Sequence, residues 1–551
     1  MKQRYQQRNL QSSYLEKLCN SAEHEHPENE LPTGNGFEFR QCSEEDVRKI
    51  LSKIPNNKAD GIDGIPMKAI KLGIEILLSP ITYLINKLIM HGFPKQLKQS
   101  IVMPIYKKGP ADKTENYRPI AIVPAISKLA ERVIANQLNT YLSENNLITN
   151  SQHGFRSNHS TNTALLHLTE DVRQMLDRGL AVGLIALDLS KAFDTINHKI
   201  LINKLKALNL GHGVISFFSN YLTNRTFVVK VNNQMSKLYR TSMGVPQGSV
   251  LGPLLFSLYM NNLPNVIKES RTVMYADDTT LYFGSKFPSN IQISLGTDIE
   301  ILEQWFATNK LRLNAKKTEF MIIANNRVRE HYKDIKIKVD GNMLNEKQNI
   351  KILGVTISND LTWDTHVNQL TRNLKFCFGS FSRACKYLTL DTKKLLYNAS
   401  IASRLNYCDM VWDSCTINTK NKLQTIQNRC ARRIYNCQPG TSAPPLLKEL
   451  GWLTLDKKRK LHKCVLMHRL LQGNGPDTLT HNLNQYKSVK TKSTRAQTND
   501  ELSLPYHKTD YISKSFTYET AKLWNLIPLS LRQVKNSKTF KEKLNKFLLT
   551  Q

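Results

Sequence analysis

Residues 180–201 read LAVGLIALDLSKAFDTINHKIL, and residues 272–283 read TVMYADDTTLYF. In the first stretch Val182–Leu189 is an apolar, strand-like run, so it reads as a buried strand with Asp188 at its C-terminal end. In the second, the β-prone runs Thr272–Ala276 and Thr279–Phe283 flank Asp277-Asp278 as strands flank a hairpin turn. A carboxylate in so apolar a setting is costly unless it is paired or bound to metal. If these strands are neighbours, Asp188 and Asp277 meet at one sheet edge with Asp278 beside them. Three clustered carboxylates repel unless a hard cation neutralises them, and an oxygen-only donor set on an open site suits Mg²⁺. Two such ions about 3.5–4 Å apart can activate an attacking hydroxyl and stabilise a leaving pyrophosphate. Blander readings exist for each part. Asp-Asp in a hairpin is ordinary turn chemistry, and Asp188 alone could cap the helix that follows. Both weaken because the two acidic sites interrupt buried-looking strands about 90 residues apart in a basic chain.

The chain has 551 residues, 77 Lys+Arg against 45 Asp+Glu, and a formal net charge of +32. That balance suits a protein working against phosphate backbones and is unusual for an enzyme of small metabolites. Hydrophobic residues make up 40%, which excludes general disorder, and the length allows three to four globular units. The excess charge is uneven: Thr371–Gln551 holds 32 Lys/Arg and 11 Asp/Glu, a net of +21. Nine cysteines without a C-x-x-C pair point to a reducing compartment. Cys408/Cys415 and Cys430/Cys437 repeat at seven residues, a looser spacing than zinc sites use. The start MKQRYQQRNLQ lacks the apolar core of a secretory signal, and no run approaches 18 apolar residues. The expectation is an intracellular protein without a membrane span, with nuclear and cytoplasmic residence both open.

Along the chain, 1–36 reads as a polar, flexible lead and 37–95 as a helical N-terminal extension. Within the latter, Ser43 caps VRKILSKI, and the long apolar stretch to His91 carries a break at its proline. Residues 101–300 alternate short strands and helices, an α+β or α/β pattern. After about Asn359 the chain is basic, Leu-rich and mostly helical.

The two acidic segments also resemble a family. IALDLSKAFDTINH, MGVPQGSVLGPLLFSLYMNNLP and MYADDTTLY are similar to the successive palm motifs of reverse transcriptases of the non-LTR (LINE-type) retrotransposons, Jockey-like group. IVMPIYKKGP, ENYRPIAIVPAISKLAERVIANQL and QHGFRSNHSTNTAL resemble the finger segments ahead of them. NKLRLNAKKTEFMII and KILGVTISNDLTW resemble the later palm motif and primer grip. The resemblance implies an α+β right-hand polymerase fold: fingers and palm over 96–365, with an antiparallel palm sheet, a thumb-like helical region over 366–440, and a basic C-terminal extension over 441–551. It implies RNA-directed DNA synthesis with two Mg²⁺ ions, Mn²⁺ being a substitute, on an RNA template, a DNA primer and deoxynucleoside triphosphates.

Position by position, the resemblance makes Asp188, Asp277 and Asp278 the metal-binding carboxylates, with Asp278 in a supporting role. Arg118 matches the finger arginine on the incoming triphosphate, assisted by Lys107 or Lys108. Phe193 matches the bulky residue filling the space of a ribose 2′-hydroxyl, with a core aromatic as the alternative. Gln247 matches the residue touching the nucleotide, with Gly248 permitting close approach. Lys317 matches a proton donor to pyrophosphate, with Lys316 next door. Asp194 reads as structural. Basic helices in the tail should track template–primer phosphates, with Arg429, Arg432, Arg433 and the run Lys457-Lys458-Arg459-Lys460 as candidates. Trp363, Trp412, Trp452 and Trp524 read as core residues ahead of base-stacking ones. Fewer than 100 residues precede the finger motifs, so the expectation is a polymerase segment, either 5′-truncated or separated from its endonuclease, with a separate endonuclease as one source of nicking. An RNA-binding remnant without activity and an intron-type maturase are the rival readings.

Overall fold

A computed structural model describes residues 36–487, 501–504 and 506–550. The chain folds as two compact units, each built from separated segments. Of the described residues, the first takes those up to Thr149 with Leu189–Val266 and Gln304–Arg312; the second takes Asn150–Asp188, Ile267–Glu303 and those from Leu313 onward. In chain order the strands that matter here are β1 (Gln99–Tyr106), β2 (Tyr117–Ile122), β3 (Ala181–Leu187), β4 (Arg225–Val231), β5 (Gln234–Met235), β6 (Tyr239–Thr241), β7 (Arg271–Tyr275), β8 (Asp278–Ser285) and β9 (Glu319–Ile323).

The second unit is organised on a fully antiparallel sheet of order β7-β8-β3-β9. Its central strand β3 is apolar throughout because both faces are covered. Val182 and Leu184 join Leu165, Leu168 and Val172 of the helix Thr161–Asp177 in one core. On the other face the close neighbour is the helix beginning at Pro288: a Cβ on Gly183 would lie 2.6 Å from Ile291 and Leu295 side-chain atoms. Glycine is therefore the residue that lets sheet and helix approach. Each fully buried Leu or Val here contributes roughly 1.5–3 kcal/mol.

The same core runs on into the helices Asp364–Ala384, Ile417–Ile434, Leu455–Leu471, Phe516–Asn525 and Ser537–Thr550. One long-range cap ties the tail down. Buried Glu170, on the helix Thr161–Asp177, accepts hydrogen bonds from Phe516 N at 2.6 Å, Thr517 N at 3.1 Å and Thr517 Oγ1 at 2.6 Å. Burial raises its pKa, and the three donors oppose that shift. Arg173, one turn on, donates to Tyr511 O and Ser414 Oγ. Trp363, Trp412 and Trp524 are buried, and Trp452 stacks on Tyr397 with centroids 3.9 Å apart, so all four pack within the protein.

The first unit carries the sheet β2-β1-β4-β5, with β6 also on β4; β1 runs antiparallel to β2 and parallel to β4. Ser43 forms the capping box of the helix Glu44–Lys53 with Asp46. The expected proline break is absent: the helix Ile74–His91 runs through Pro80, and the interruption falls at Gly73, after the short helix Met67–Leu72. A proline in the second turn loses only one backbone hydrogen bond, which packing offsets, whereas glycine has no side chain to hold it helical. The chain is α+β. Among the described residues no helix is long and apolar enough to cross a membrane.

Candidate active site

The second unit holds the carboxylates. β7 and β8 pair from Arg271↔Tyr282 to Tyr275↔Asp278, which leaves Ala276 and Asp277 as a two-residue turn. β3 pairs with β8 up to Leu187↔Thr279, so the next position on each strand sets Asp188 opposite Asp278. Backbone register alone thus carries three acidic positions to one end of the sheet. Strand β3 stops at Leu187, and no helix starts until His198, capped by Asn197, so Asp188 caps nothing. Asp188 Oδ2 is buried without a hydrogen-bond partner, and the Lys317 ammonium stands 3.6 Å from it. The Asn314 N–H donates to Asp188 O at 2.8 Å, which fixes the segment bearing Lys317 beside the strand end. Of the two neighbouring lysines, Lys317 is the one at the carboxylate. Among the described residues no three His, Cys, Asp or Glu side chains already converge as a metal cage, and the paired cysteine spacings assemble none.

The first unit holds the residues expected to meet the nucleotide. The β1–β2 hairpin pairs Ile105↔Arg118 and Tyr106↔Tyr117, and Lys107 N donates to Asn116 O at 2.8 Å. Lys107, Lys108 and Arg118 are therefore exposed side chains at one hairpin end. The Gln247-Gly248 loop docks on β2: Ala121 N donates to Gln247 O at 2.6 Å. Gly248 has φ +117°, and a Cβ there would lie 2.5 Å from Ala121 O. Its close approach is to this strand. The helix that follows, Leu251–Met260, is capped by buried Glu131, which accepts from Val250 N at 2.6 Å and Leu251 N at 3.4 Å. Phe193 stacks on Phe256 with centroids 4.3 Å apart and 17° between planes. The Val245 N–H donates to Phe193 O at 3.0 Å, tying the aromatic turn to the same loop.

Asp194 proves to be more than a filler. Gln247 Nε2 donates to its Oδ1 at 2.8 Å, so the side-chain amide is aimed by this carboxylate. Burial raises the Asp194 pKa to about 6, against the opposing bond from Gln247. A second residue the sequence reading passed over is Gln152, in QHGF: it is fully buried and hydrogen-bonded to the backbone of the Ala276–Asp277 turn. Neither has a periodicity signal, because each acts on a segment distant in sequence.

The basic candidates divide. On the helix Ile417–Ile434, Arg429 lies 4.5 Å over the Phe378 ring and Arg433 Nε donates to Ser382 O. These two, with Lys375, Arg383 and Lys386, line a groove of about 510 Å³. Arg432 turns the other way, donating to Thr441 O at 2.6 Å. On the helix Leu455–Leu471, Lys457, Lys458 and Lys460 are half-buried, and Lys460 pairs with Asp456 at 2.8 Å. Burial lowers the Lys458 pKa. Arg459 is a correction: it is buried, 3.5 Å from Asp413 and 4.9 Å over the Trp412 ring, so it cannot track phosphates. The helix that carries it is buried on several sides, Lys463 and His468 included, so charge alone does not mark an exposed position.

Residues 105–357 match the family model for reverse transcriptase (RNA-dependent DNA polymerase). The chain carries a reverse transcriptase domain. Both carboxylate segments, Lys107, Lys108 and Arg118, and the Gln247 loop of this reverse transcriptase domain fall inside the match. Over 463 residues the chain is 29% identical to a probable RNA-directed DNA polymerase from transposon BS of Drosophila melanogaster, covering 80% of this chain and 50% of that protein. Over 404 residues it is 29% identical to the RNA-directed DNA polymerase from mobile element jockey of the same fly, covering 71% and 43%. The chain thus spans about half the length of these relatives. Among solved structures it is similar to telomerase from Candida albicans at 15% identity and TM-score 0.35, covering 72% of this chain and 66% of that one.

Proposed function

We propose that this chain is an RNA-directed DNA polymerase of a non-LTR retrotransposon, which extends the 3′-hydroxyl of a DNA primer on an RNA template. The observation that carries the reading is the register that aligns Asp188 with Asp278 and leaves Asp277 in the turn between β7 and β8. An all-oxygen set on an exposed sheet end, with the Asp188 Oδ2 buried and lacking a hydrogen-bond donor, fits a hard divalent cation. Asp188 and Asp277, supported by Asp278, would hold Mg²⁺ or Mn²⁺, which supplies charge neutralisation and a more acidic primer hydroxyl.

The chain's own residues account for the rest. The exposed guanidinium of Arg118 presents planar paired donors to a triphosphate, with Lys107 and Lys108 adding charge. Gln247, aimed by Asp194, contacts the nucleotide. Phe193, held flat against Phe256, blocks a 2′-hydroxyl because a packed ring has no room to yield. Lys317, beside Asp188, protonates the departing pyrophosphate. The groove of Arg429 and Arg433 takes a phosphate backbone without reading bases.

The test is extension of oligo(dT) on poly(rA) with Mg²⁺, run beside Asp277→Asn. Wild-type incorporation that falls by at least about 100-fold in the variant is expected from loss of a charge that holds the ion. Equal incorporation by both proteins would sink the assignment, and RNA binding without any extension would leave a binding protein.

A further inference from the structure

The two-residue turn that bears Asp277 is not self-supporting. Ala276 has φ +57°, a conformation that L-residues other than Asn and Asp seldom adopt, so something outside the hairpin must hold it there. The support comes from Ser151-Gln152-His153-Gly154. Met274 N donates to Ser151 O and His153 N donates to Met274 O, both at 2.8 Å, so this segment lies parallel to the end of β7. Between these bonds the Gln152 side chain reaches the turn. Its Oε1 accepts from Ala276 N at 2.9 Å and from Gly154 N at 2.7 Å, while its Nε2 donates to Ala276 O at 3.4 Å. Two N–H donors face one end of the amide, so the oxygen must occupy that end, and the orientation is chemically unambiguous. Gln152 has no exposed surface. At Gly154 a Cβ would lie 2.4 Å from Ala276 N, so only glycine lets the segment close on the turn.

We infer that Gln152 is a positioning residue of the active site: by gripping both the N–H and the C=O of Ala276 it fixes where Asp277 and Asp278 stand relative to Asp188. A hydrophobic side chain would fill the same space, so the amide matters for what it holds. The inference rests on the reading of these aspartates as the catalytic set, and its test separates the two.

The experiment uses the full chain with Gln152→Leu, which removes the grip, and Gln152→Glu, which keeps an acceptor for both N–H groups. Primer extension gives kcat and the deoxynucleotide KM, filter binding gives template–primer affinity, and hydrogen exchange reads the Ala276 amide. Gln152→Leu is expected to speed exchange at Ala276 and to lower kcat about 100-fold, the scale of a misplacement near 1 Å, with KM and template affinity unchanged. Gln152→Glu should restore protection and most of kcat. Unchanged kcat in Gln152→Leu overturns the inference, as does a parallel fall in kcat, template affinity and melting temperature in both variants. If the wild type extends no primer, exchange decides: faster exchange confined to Gln152→Leu keeps the grip and discards the polymerase reading, and unchanged exchange discards the grip.

Discussion

Replacing Asp194 by Asn should stabilise the protein while weakening its hold on nucleotide. The carboxylate titrates near 6 in the folded chain because burial disfavours its charge, against 3.8 as the ordinary value. A raised folded pKa means that the folded state keeps its proton longer than the unfolded chain. Its contribution to stability is therefore fully present below about pH 3.8 and lost as pH rises through about 6. The shift of about two units corresponds to about 3 kcal/mol at most, and residual solvent contact reduces this to about 2 kcal/mol. Asn carries no charge to desolvate, so at pH 8 Asp194→Asn should melt about 2 °C higher than wild type, and at pH 4 the two should coincide. Function should move the opposite way. The bond from Gln247 at 2.8 Å goes to a carboxylate at neutral pH, and such a bond exceeds a neutral one by about 1 kcal/mol. The deoxynucleotide KM of wild type should then rise about fivefold between pH 7.5 and pH 5, with its midpoint near 6. In Asp194→Asn, KM should sit at the higher value throughout. Scanning calorimetry and primer extension across pH 4–8 make the comparison. A KM inflection near pH 6 that survives in the variant, or equal melting temperatures at pH 8, would show that Asp194 does not aim Gln247.

Other expectations follow from single contacts. Because Phe193 is stacked on Phe256, Phe193→Val should raise ribonucleotide incorporation and Phe256→Ala should do so more weakly by loosening the ring; unchanged sugar selectivity in both would refute the gate. Arg429→Gln with Arg433→Gln should reduce the log–log salt slope of RNA affinity by about 2, since each phosphate contact adds about one. Arg459→Gln should leave that slope unchanged and instead cost about 1 kcal/mol of stability, read by denaturant unfolding, because Asp413 loses one of three cationic partners and keeps Lys463 at 2.6 Å and Lys420 at 3.1 Å. Gly183→Val should destabilise by about 1–3 kcal/mol by forcing side chains against Ile291 and Leu295; a melting temperature equal to wild type would mean the helix yields freely.

Much of this protein was open to reading along the chain. The apolar run ending at Asp188 and the alternation around Asp277-Asp278 are local patterns, and β3, β7 and β8 follow them to within a residue or two because strand-forming runs bounded by turn residues have few other options. Order and spacing of these motifs suffice to point to the reverse transcriptase domain that residues 105–357 match. What a linear reading could not weigh is direction. Arg459 and Lys460 are neighbours in a charge run, yet one is buried against Asp413 and the other pairs with Asp456 at the surface, because a helix turns 100° per residue. Glu170 looks like any helical glutamate until the fold brings Phe516 and Thr517 to it across some 346 residues. Asp194 and Gln152 act on backbone or amide groups that the sequence keeps 53 and 124 residues away. The sequence by itself determined which residues are candidates for the chemistry, since reactivity belongs to side-chain type and local pattern. Only the tertiary structure decided what holds those residues in place, since a hydrogen bond acts over 3 Å of space whatever the length of chain between its partners.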